Sequence, residues 1–380
     1  MLFIHILFCY FCGQINETII LYKRMANVIK LRKGLDINLK GKAAEEFMSV
    51  KEPGFYSLVP DDFTGITPKV VVKEQEYVMA GGPLFIDKNH PELKFVSPVS
   101  GVVTSVERGA RRKVLNIVVE AAAEQDYEEF GKMDPSKMSA QEVKDALLQA
   151  GMFAFIRQRP YDVIADPTVA PKAIFISAFD SNPLAPDFDF VVKGREDDLQ
   201  AGIDVLAKLT AGRVYLGVRA GSPLAVRGAE VVAFEGPHPA GNVGVQIHHI
   251  APVSKGETVW TLSAFDLLVI GRYFRTGVLD FSRLVALTGS EVKTPHYVKT
   301  IWGAEVSSII DGNLVPADYH RRYISGNVLT GTRLGEHDYL RAPHSQITVI
   351  PEGDDCHELL GWAMPGFGKY SVSHSYFSWL

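Results

Sequence analysis

The stretch Ala173-Ile174-Phe175-Ile176-Ser177-Ala178 is an almost unbroken apolar run, the pattern of a strand covered on both faces in an α/β sheet. Pro167 and Pro171 bracket the loop that leads into it, and Ser181-Asn182-Pro183 closes it with turn chemistry. Downstream, Asp197 to Leu209 (DDLQAGIDVLAKL) carries a core stripe of Leu199, Ile203, Val205, Leu206 and Leu209 behind three acidic residues, Glu196, Asp197 and Asp198. Acidic side chains suit the positive end of a helix dipole, so this segment predicts a helix. Strands follow at Val214 to Val218 and Val231 to Phe234. Upstream, Ala140 to Met152 has Val143, Ala146, Leu147 and Ala150 at helical spacing, with Gly151 as its stop. A strand–helix–strand–strand order predicts an open α/β sheet over residues 126–252.

The flanks read differently. Over residues 25–125 short β segments are broken by Gly and Pro, with strands expected at Val70-Val71-Val72, Leu84-Phe85-Ile86, Gly101-Val102-Val103 and Leu115 to Val119. Phe85 to Gly109 (FIDKNHPELKFVSPVSGVVTSVERG) resembles the biotinyl/lipoyl carrier fold, a β barrel-sandwich, through Pro98, Ser100, Gly101 and Val103. The carrier lysine would fall near Lys88, but Asp87 and Asn89 flank it rather than methionines, so Lys88 reads as a solvated turn lysine. Residues 253–350 predict a mixed α+β module. Its helices are expected at Phe265 to Phe274 and Ala304 to Ile310, and its strands at Leu284 to Leu287, Tyr297 to Ile301, Val328-Leu329 and Ile347 to Ile350.

Composition narrows the function. Of 380 residues, 47% are hydrophobic, enough for real cores, and a net charge of −5 argues against a nucleic-acid binder. Three cysteines cannot make a disulfide framework or hold an iron–sulfur cluster. Leu2 to Cys12 is apolar but, at eleven residues, short of the roughly 20 that span a bilayer. Met25 reads as the natural start, which makes residues 1–24 an extension. The apolar ending Trp379-Leu380 suggests that residues 351–380 open a longer carboxyl-terminal region.

No G-x-G-x-x-G follows a strand, and no Walker A, G-x-S-x-G or H-E-x-x-H occurs. His248 and His249 would point apart on a strand and read as structural or exposed rather than as paired metal ligands. Three segments attract attention. In Glu235-Gly236-Pro237-His238-Pro239-Ala240-Gly241-Asn242 a rigid turn follows a strand at the end where α/β sheets bind ligands. His238 is there either a structural crossover residue or a proton partner for a ligand. Phe153 to Tyr161 combines aromatic faces with Arg157, Arg159 and Tyr161, a set that could stack on a flat ring and donate to its carbonyls. Its plainer reading is a core-packing turn with two surface arginines. Gly54 to Phe63 adds apolar wall, Phe63 included.

From Met25 onward the chain resembles the A-subunit family of bacterial Na⁺-translocating NADH:quinone oxidoreductases. The resemblance rests on Lys33-Gly34-Leu35-Asp36, Phe95 to Gly101 with Arg108-Gly109-Ala110, Arg157-Gln158-Arg159-Pro160, and Asp180 to Ala185. It continues through Gly236 to Gly241, Ile324 to Thr332, and Gly361 to Gly366, all in family order. It implies a barrel-sandwich, a Rossmann-like α/β domain akin to the flavin subunit of respiratory complex I, and a β-grasp-type, SLBB-like module. It also implies a peripheral subunit on the cytoplasmic face of the bacterial inner membrane, docked on membrane and flavin-carrying subunits. The resemblance extends to the C subunit of the Rnf electron-transfer complex; where it and the complex I flavin subunit carry a glycine-rich flavin loop, this chain has Gly151-Met152-Phe153-Ala154-Phe155-Ile156, whose side chains keep backbone amides away from a phosphate. The expectation is therefore no FMN or FAD, no NADH and no iron–sulfur centre in this chain, with ubiquinone or menaquinone as ligand. Phe63, Phe155, Arg157, Arg159 and Tyr161 are the candidate contacts and His238 a candidate proton partner. The rival reading is a structural adaptor whose inherited flavin fold has lost every ligand.

Overall fold

A computed structural model describes residues 28–354 together with Pro365 and Phe367. Residues 1–24, the ending Trp379-Leu380 and most of 351–380, including nearly all of Gly361 to Gly366, lie outside the described residues.

Seven strands form the central sheet: β1 (Val28–Lys30), β2 (Arg157–Arg159), β3 (Val163–Ile164), β4 (Ala173–Ser177), β5 (Arg213–Arg219), β6 (Glu230–Glu235) and β7 (Val259–Ser263). Their spatial order is β1-β6-β5-β4-β7-β2-β3. β1, β6, β5, β4 and β7 run parallel, and β2 and β3 close the edge antiparallel. Four longer helices accompany them, α1 (Ala140–Gln149), α2 (Glu196–Lys208), α3 (Val243–Ile250) and α4 (Ala264–Thr276), with a single helical turn at Phe188–Val191. The apolar run that predicted a two-sided strand is β4, buried from Ala173 to Ile176. Ser139 and Glu142 cap α1 reciprocally, which satisfies two otherwise orphaned amides, and Gly151 leaves the helix at φ +68°. The sheet runs on past 252, because β7 pairs with β4 and α4 packs on α2.

That helix pair is unusually close. A Cβ on Gly271 would lie 1.7 Å from the Asp198 carbonyl oxygen, and one on Gly202 would lie 2.8 Å from that of Leu267. Only glycine allows the two backbones to meet there. Leu199, Ile203 and Leu206 of α2 are buried along with Leu267, Leu268 and Ile270 of α4, each such side chain stabilising the fold by roughly 1.5–3 kcal/mol.

The amino-terminal unit is built of a four-stranded sheet (Phe55–Leu58, Val114–Ala121, Gly101–Arg108, Tyr77–Val78) and a three-stranded one (Pro68–Val70, Pro83–Asp87, Lys94–Val96). Phe85 and Phe95 stack at 4.6 Å between ring centres in its core. The strand expected at Val70 to Val72 ends at Val70, and Lys88 is an exposed turn residue. The third unit is a six-stranded mixed sheet, in the order Thr332–Leu334, Arg321–Ser325, Gln346–Pro351, Ser282–Thr288, His296–Ile301, Phe47–Met48, with a helix at Val306–Ile310.

Two local expectations are corrected. Val328-Leu329 is a turn, because Asn327 Oδ1 accepts the amides of Leu329 and Thr330 and bends the chain away from the sheet. His248 and His249 lie on α3 rather than on a strand, with His249 Nδ1 2.9 Å from the Val245 carbonyl. The segment before Gly54 belongs to no single unit: Val28–Lys30 extends the central sheet and Phe47–Met48 edges the third.

Candidate functional site

From β4 the chain crosses to β5 and β6 on one side, then returns to β7 on the other. Between the carboxyl ends of β4 and β7 the sheet therefore has a topological switch point, where connections diverge and leave a crevice. A cleft of about 890 Å³ opens there, lined by Ser177 to Asp180 after β4 and Thr261 to Ser263 of β7. Gly241 to Val245 at the start of α3 also lines it. The amino-terminal unit contributes Asp61, Asp62 and Thr64, and the third unit Gly326, Asn327, Thr330 and Pro343 to Gln346. All three units thus meet at one space.

Phe155, Arg157 and Arg159 line the cleft together. Met152–Phe155 form a buried 3₁₀ turn, and β2 then alternates so that Arg157 and Arg159 share a face. The Phe155 ring lies 5.0 Å from that of Trp302, which stacks on Phe281 at the same distance. Arg157 donates to the Asp62 carbonyl at 3.1 Å and lies 3.6 Å from Asp162, and Arg159 lies 3.3 Å from Asp162. The other candidates sit elsewhere. Phe63 is sealed in the barrel-sandwich core, 4.6 Å from Phe95, and Tyr161 is 81% exposed on the turn after β2. His238 sits beyond β6 with its Nδ1 3.1 Å from Ser181 Oγ. Its amide donates to Asp36 and its carbonyl accepts the amide of Leu35. It ties the amino-terminal segment down and is not among the cleft residues.

Residues that sequence reasoning missed complete the walls. Asp62 accepts Arg341 Nε at 2.7 Å and the Ala342 amide at 3.0 Å. Burial holds its carboxyl above the usual range, against the pull of Arg341, that amide and Arg157. Asp266 and Arg283 form a buried pair at 2.9 Å, and Arg283 lies over the Trp302 ring at 5.7 Å. Burial also raises Asp266, opposed by Arg283. His344 is pushed down to about 4, first by burial and then by Arg341, Arg157 and Arg283. A signal for it exists in the sequence, because Ala342-Pro343-His344-Ser345 repeats the Pro-His turn chemistry that singles out His238. The acidic pair Asp61-Asp62 is hidden by its setting, a stretch whose apolar residues dominate the reading of Gly54 to Phe63.

Comparison with known proteins places this architecture. Three family models match in chain order: the NqrA N-terminal barrel-sandwich hybrid domain over 29–122, the NqrA second alpha/beta domain over 138–279, and the NQRA C-terminal domain over 284–335. The A-subunit of Na(+)-translocating NADH-quinone reductase from Neisseria meningitidis serogroup C is 40% identical over 355 residues, covering 92% of this chain and 78% of that protein. The chain belongs to this NqrA family. The relatives of the same name from Photorhabdus laumondii and Vibrio alginolyticus are 36% and 34% identical over the same 92% of the chain. Of solved structures, that of an NAD+-reducing [NiFe]-hydrogenase in the air-oxidized state aligns at a TM-score of 0.37 and 15% identity, over 57% of this chain and 49% of that one.

Membership in the NqrA family accounts for the barrel-sandwich, α/β and carboxyl-terminal units in this order, and the relatives' name makes the family a component of a sodium-translocating oxidoreductase. Among the described residues no helix is long and apolar enough to cross a membrane, and no cluster of His, Cys, Asp and Glu could hold a metal ion.

Proposed function

We propose that this chain is the peripheral, cytoplasm-facing subunit of a sodium-pumping NADH:quinone reductase and that it binds ubiquinone or menaquinone in the switch-point cleft. The observation that carries the reading is the convergence of Phe155, Arg157 and Arg159 on one wall of that cleft. A quinone is a flat apolar ring with two carbonyl acceptors. An aromatic face can stack on the ring, while guanidinium donors meet its oxygens. Electrons arrive from flavins on partner subunits, onto which the chain docks. Sodium passes through membrane-embedded partners, because a permeation path needs closed backbone structures across the bilayer. The central sheet is of Rossmann-like descent and the third unit of β-grasp type. Where the complex I flavin subunit carries a glycine-rich loop this chain has the buried turn Met152–Phe155, whose side chains keep backbone amides from a phosphate; this supports a chain with no flavin, NADH or iron–sulfur centre of its own.

The test is titration of the purified chain with a short-chain ubiquinone analogue, followed by tryptophan fluorescence. Trp302, one ring away from the cleft behind Phe155, is the reporter. Saturable quenching, weakened at least tenfold in both Arg157→Ala and Phe155→Ala, is expected. A flat titration, or one these variants leave unchanged, removes the cleft as a quinone site and leaves the structural adaptor. A yellow protein with near-stoichiometric flavin would overturn the reading outright.

A further inference from the structure

The cleft contains one side chain, His344, whose hydrogen-bonding state is biased by a buried serine before any ligand arrives. Ser325 is fully buried, and its Oγ accepts the backbone N–H of Arg341 at 3.0 Å. The buried hydroxyl proton has one acceptor within hydrogen-bond distance among the described residues, His344 Nδ1 at 2.9 Å, and we take it as given there, since a second acceptance would leave that proton without a partner. A ring nitrogen that accepts must be the unprotonated one, so in neutral imidazole the proton sits on Nε2. Nε2 has no hydrogen-bond partner among the described residues, and His344 is one of the residues that line the cleft. Gly326 backs the ring: a Cβ there would lie 3.2 Å from Nε2, and its φ of +92° suits glycine.

The charges around the ring come from every wall. Arg341, Arg157 of β2 and Arg283 act on it, Arg341 being paired with Asp62 and Arg283 with Asp266 of α4. Burial and the three arginines oppose a further positive charge, so the ring stays neutral through the physiological range.

We infer that His344 is the residue that reads the redox state of the ligand: its Nε2–H donates to a carbonyl oxygen of the oxidised quinone. A neutral imidazole of this tautomer offers the cleft a donor and no acceptor. A quinone carbonyl accepts from it freely. A hydroquinone hydroxyl is a poorer acceptor, and its own proton finds no acceptor in the ring. At His344 the oxidised ligand is therefore favoured over the reduced one. This rests on the quinone reading above and adds to it a selectivity that the arginines, which attract either form, do not supply.

One net neutral hydrogen bond corresponds to about a tenfold preference. The experiment measures the affinity of the full chain for a short-chain ubiquinone analogue, oxidised and then reduced under anaerobic conditions, alongside NMR of ¹⁵N-histidine-labelled protein. Wild type should prefer the oxidised analogue by about tenfold, and its His344 should show the Nε2–H tautomer at neutral pH. His344→Leu should lose the preference. Ser325→Ala, which keeps the imidazole but frees its tautomer, should reduce the preference, and His344→Gln, which restores a donor, should recover most of the oxidised-form affinity. An Nδ1–H tautomer or an imidazolium at neutral pH, or an unchanged preference in His344→Leu, overturns the inference. Should Arg157→Ala abolish binding while His344→Leu keeps the preference, only the role of His344 fails. Should wild type bind neither form, the quinone reading fails with it.

Discussion

The two Pro-His turns of this chain are built almost alike and end up doing different work. His238 and His344 each follow a proline, and each sets Nδ1 against a serine hydroxyl, at 3.1 Å to Ser181 and 2.9 Å to Ser325. Each serine oxygen also accepts a backbone amide, from Gly241 and Arg341 respectively. The difference is in what surrounds them. His238 lies against the amino-terminal segment with Asp36 and near Asp180, and both its backbone groups are spent on fastening that segment. His344 faces the cleft among Arg341, Arg157 and Arg283. The comparison teaches that a local motif sets which ring nitrogen is bonded, and that through-space charge sets what the other nitrogen can do.

The comparison can be broken most severely at the charge network. Arg283→Ala strands Asp266, a carboxylate whose partner is only 3% exposed, and should cost about 3–5 kcal/mol of stability by urea denaturation. Arg213→Ala, which loses a surface pair with Glu230, should leave the urea midpoint nearly unchanged.

Next in size is the pH dependence at His344. Its folded pKa, about 4, lies below the ordinary 6.5, so the unfolded chain takes up a proton first as pH falls. The stability that neutral His344 protects is therefore whole above 6.5 and lost progressively down to about 4, by on the order of 3 kcal/mol. The raised carboxyls of Asp62 and Asp266 act with the opposite sign, gaining stability as they protonate. Thermal melts across this window should flatten for His344→Gln relative to wild type once the carboxyls' common contribution is subtracted.

A pair of glycine substitutions sharpens the contrast at the two turns. A Cβ on Gly34 would lie 2.1 Å from the His238 carbonyl oxygen, so Gly34→Ala should displace the strap and cost about 3 kcal/mol. Gly326→Ala meets the His344 ring at 3.1 Å and the Gly331 Cα at 3.2 Å; strain at its positive φ should cost about 1 kcal/mol, with analogue affinity falling further than stability. The smallest effect is expected at His238 itself. His238→Gln should leave analogue affinity within about twofold of wild type, well below the value of one hydrogen bond.

Much of the architecture is legible in the sequence. The β4 run, the acidic start of α2, the stop at Gly151 and the glycine–proline texture of the barrel-sandwich are short-range patterns, and each became the element it predicts. The failures are local contests: side-chain capping by Asn327 wins over the apolar pair Val328-Leu329, and α3 takes up His248 and His249. For the candidate site, Phe155, Arg157 and Arg159 can be grouped because two of them alternate on one strand and the third adjoins it. Phe63 and Tyr161 cannot be sorted by sequence, since burial and exposure of single aromatic residues depend on what packs over them.

What the amino-acid order alone determined was periodicity and punctuation: which segments bury two faces, which bury one, and where the backbone must turn. These follow from spacing of 2.0 or 3.6 residues and from the torsional limits of Gly and Pro. Only the tertiary structure decided that residues from three units enclose one cleft, that Val28–Lys30 joins a sheet assembled far along the chain, and that His344 is neutral. Proximity of charges separated by most of the chain is set by packing, and electrostatic energy depends on distance in space, which spacing along the sequence does not report.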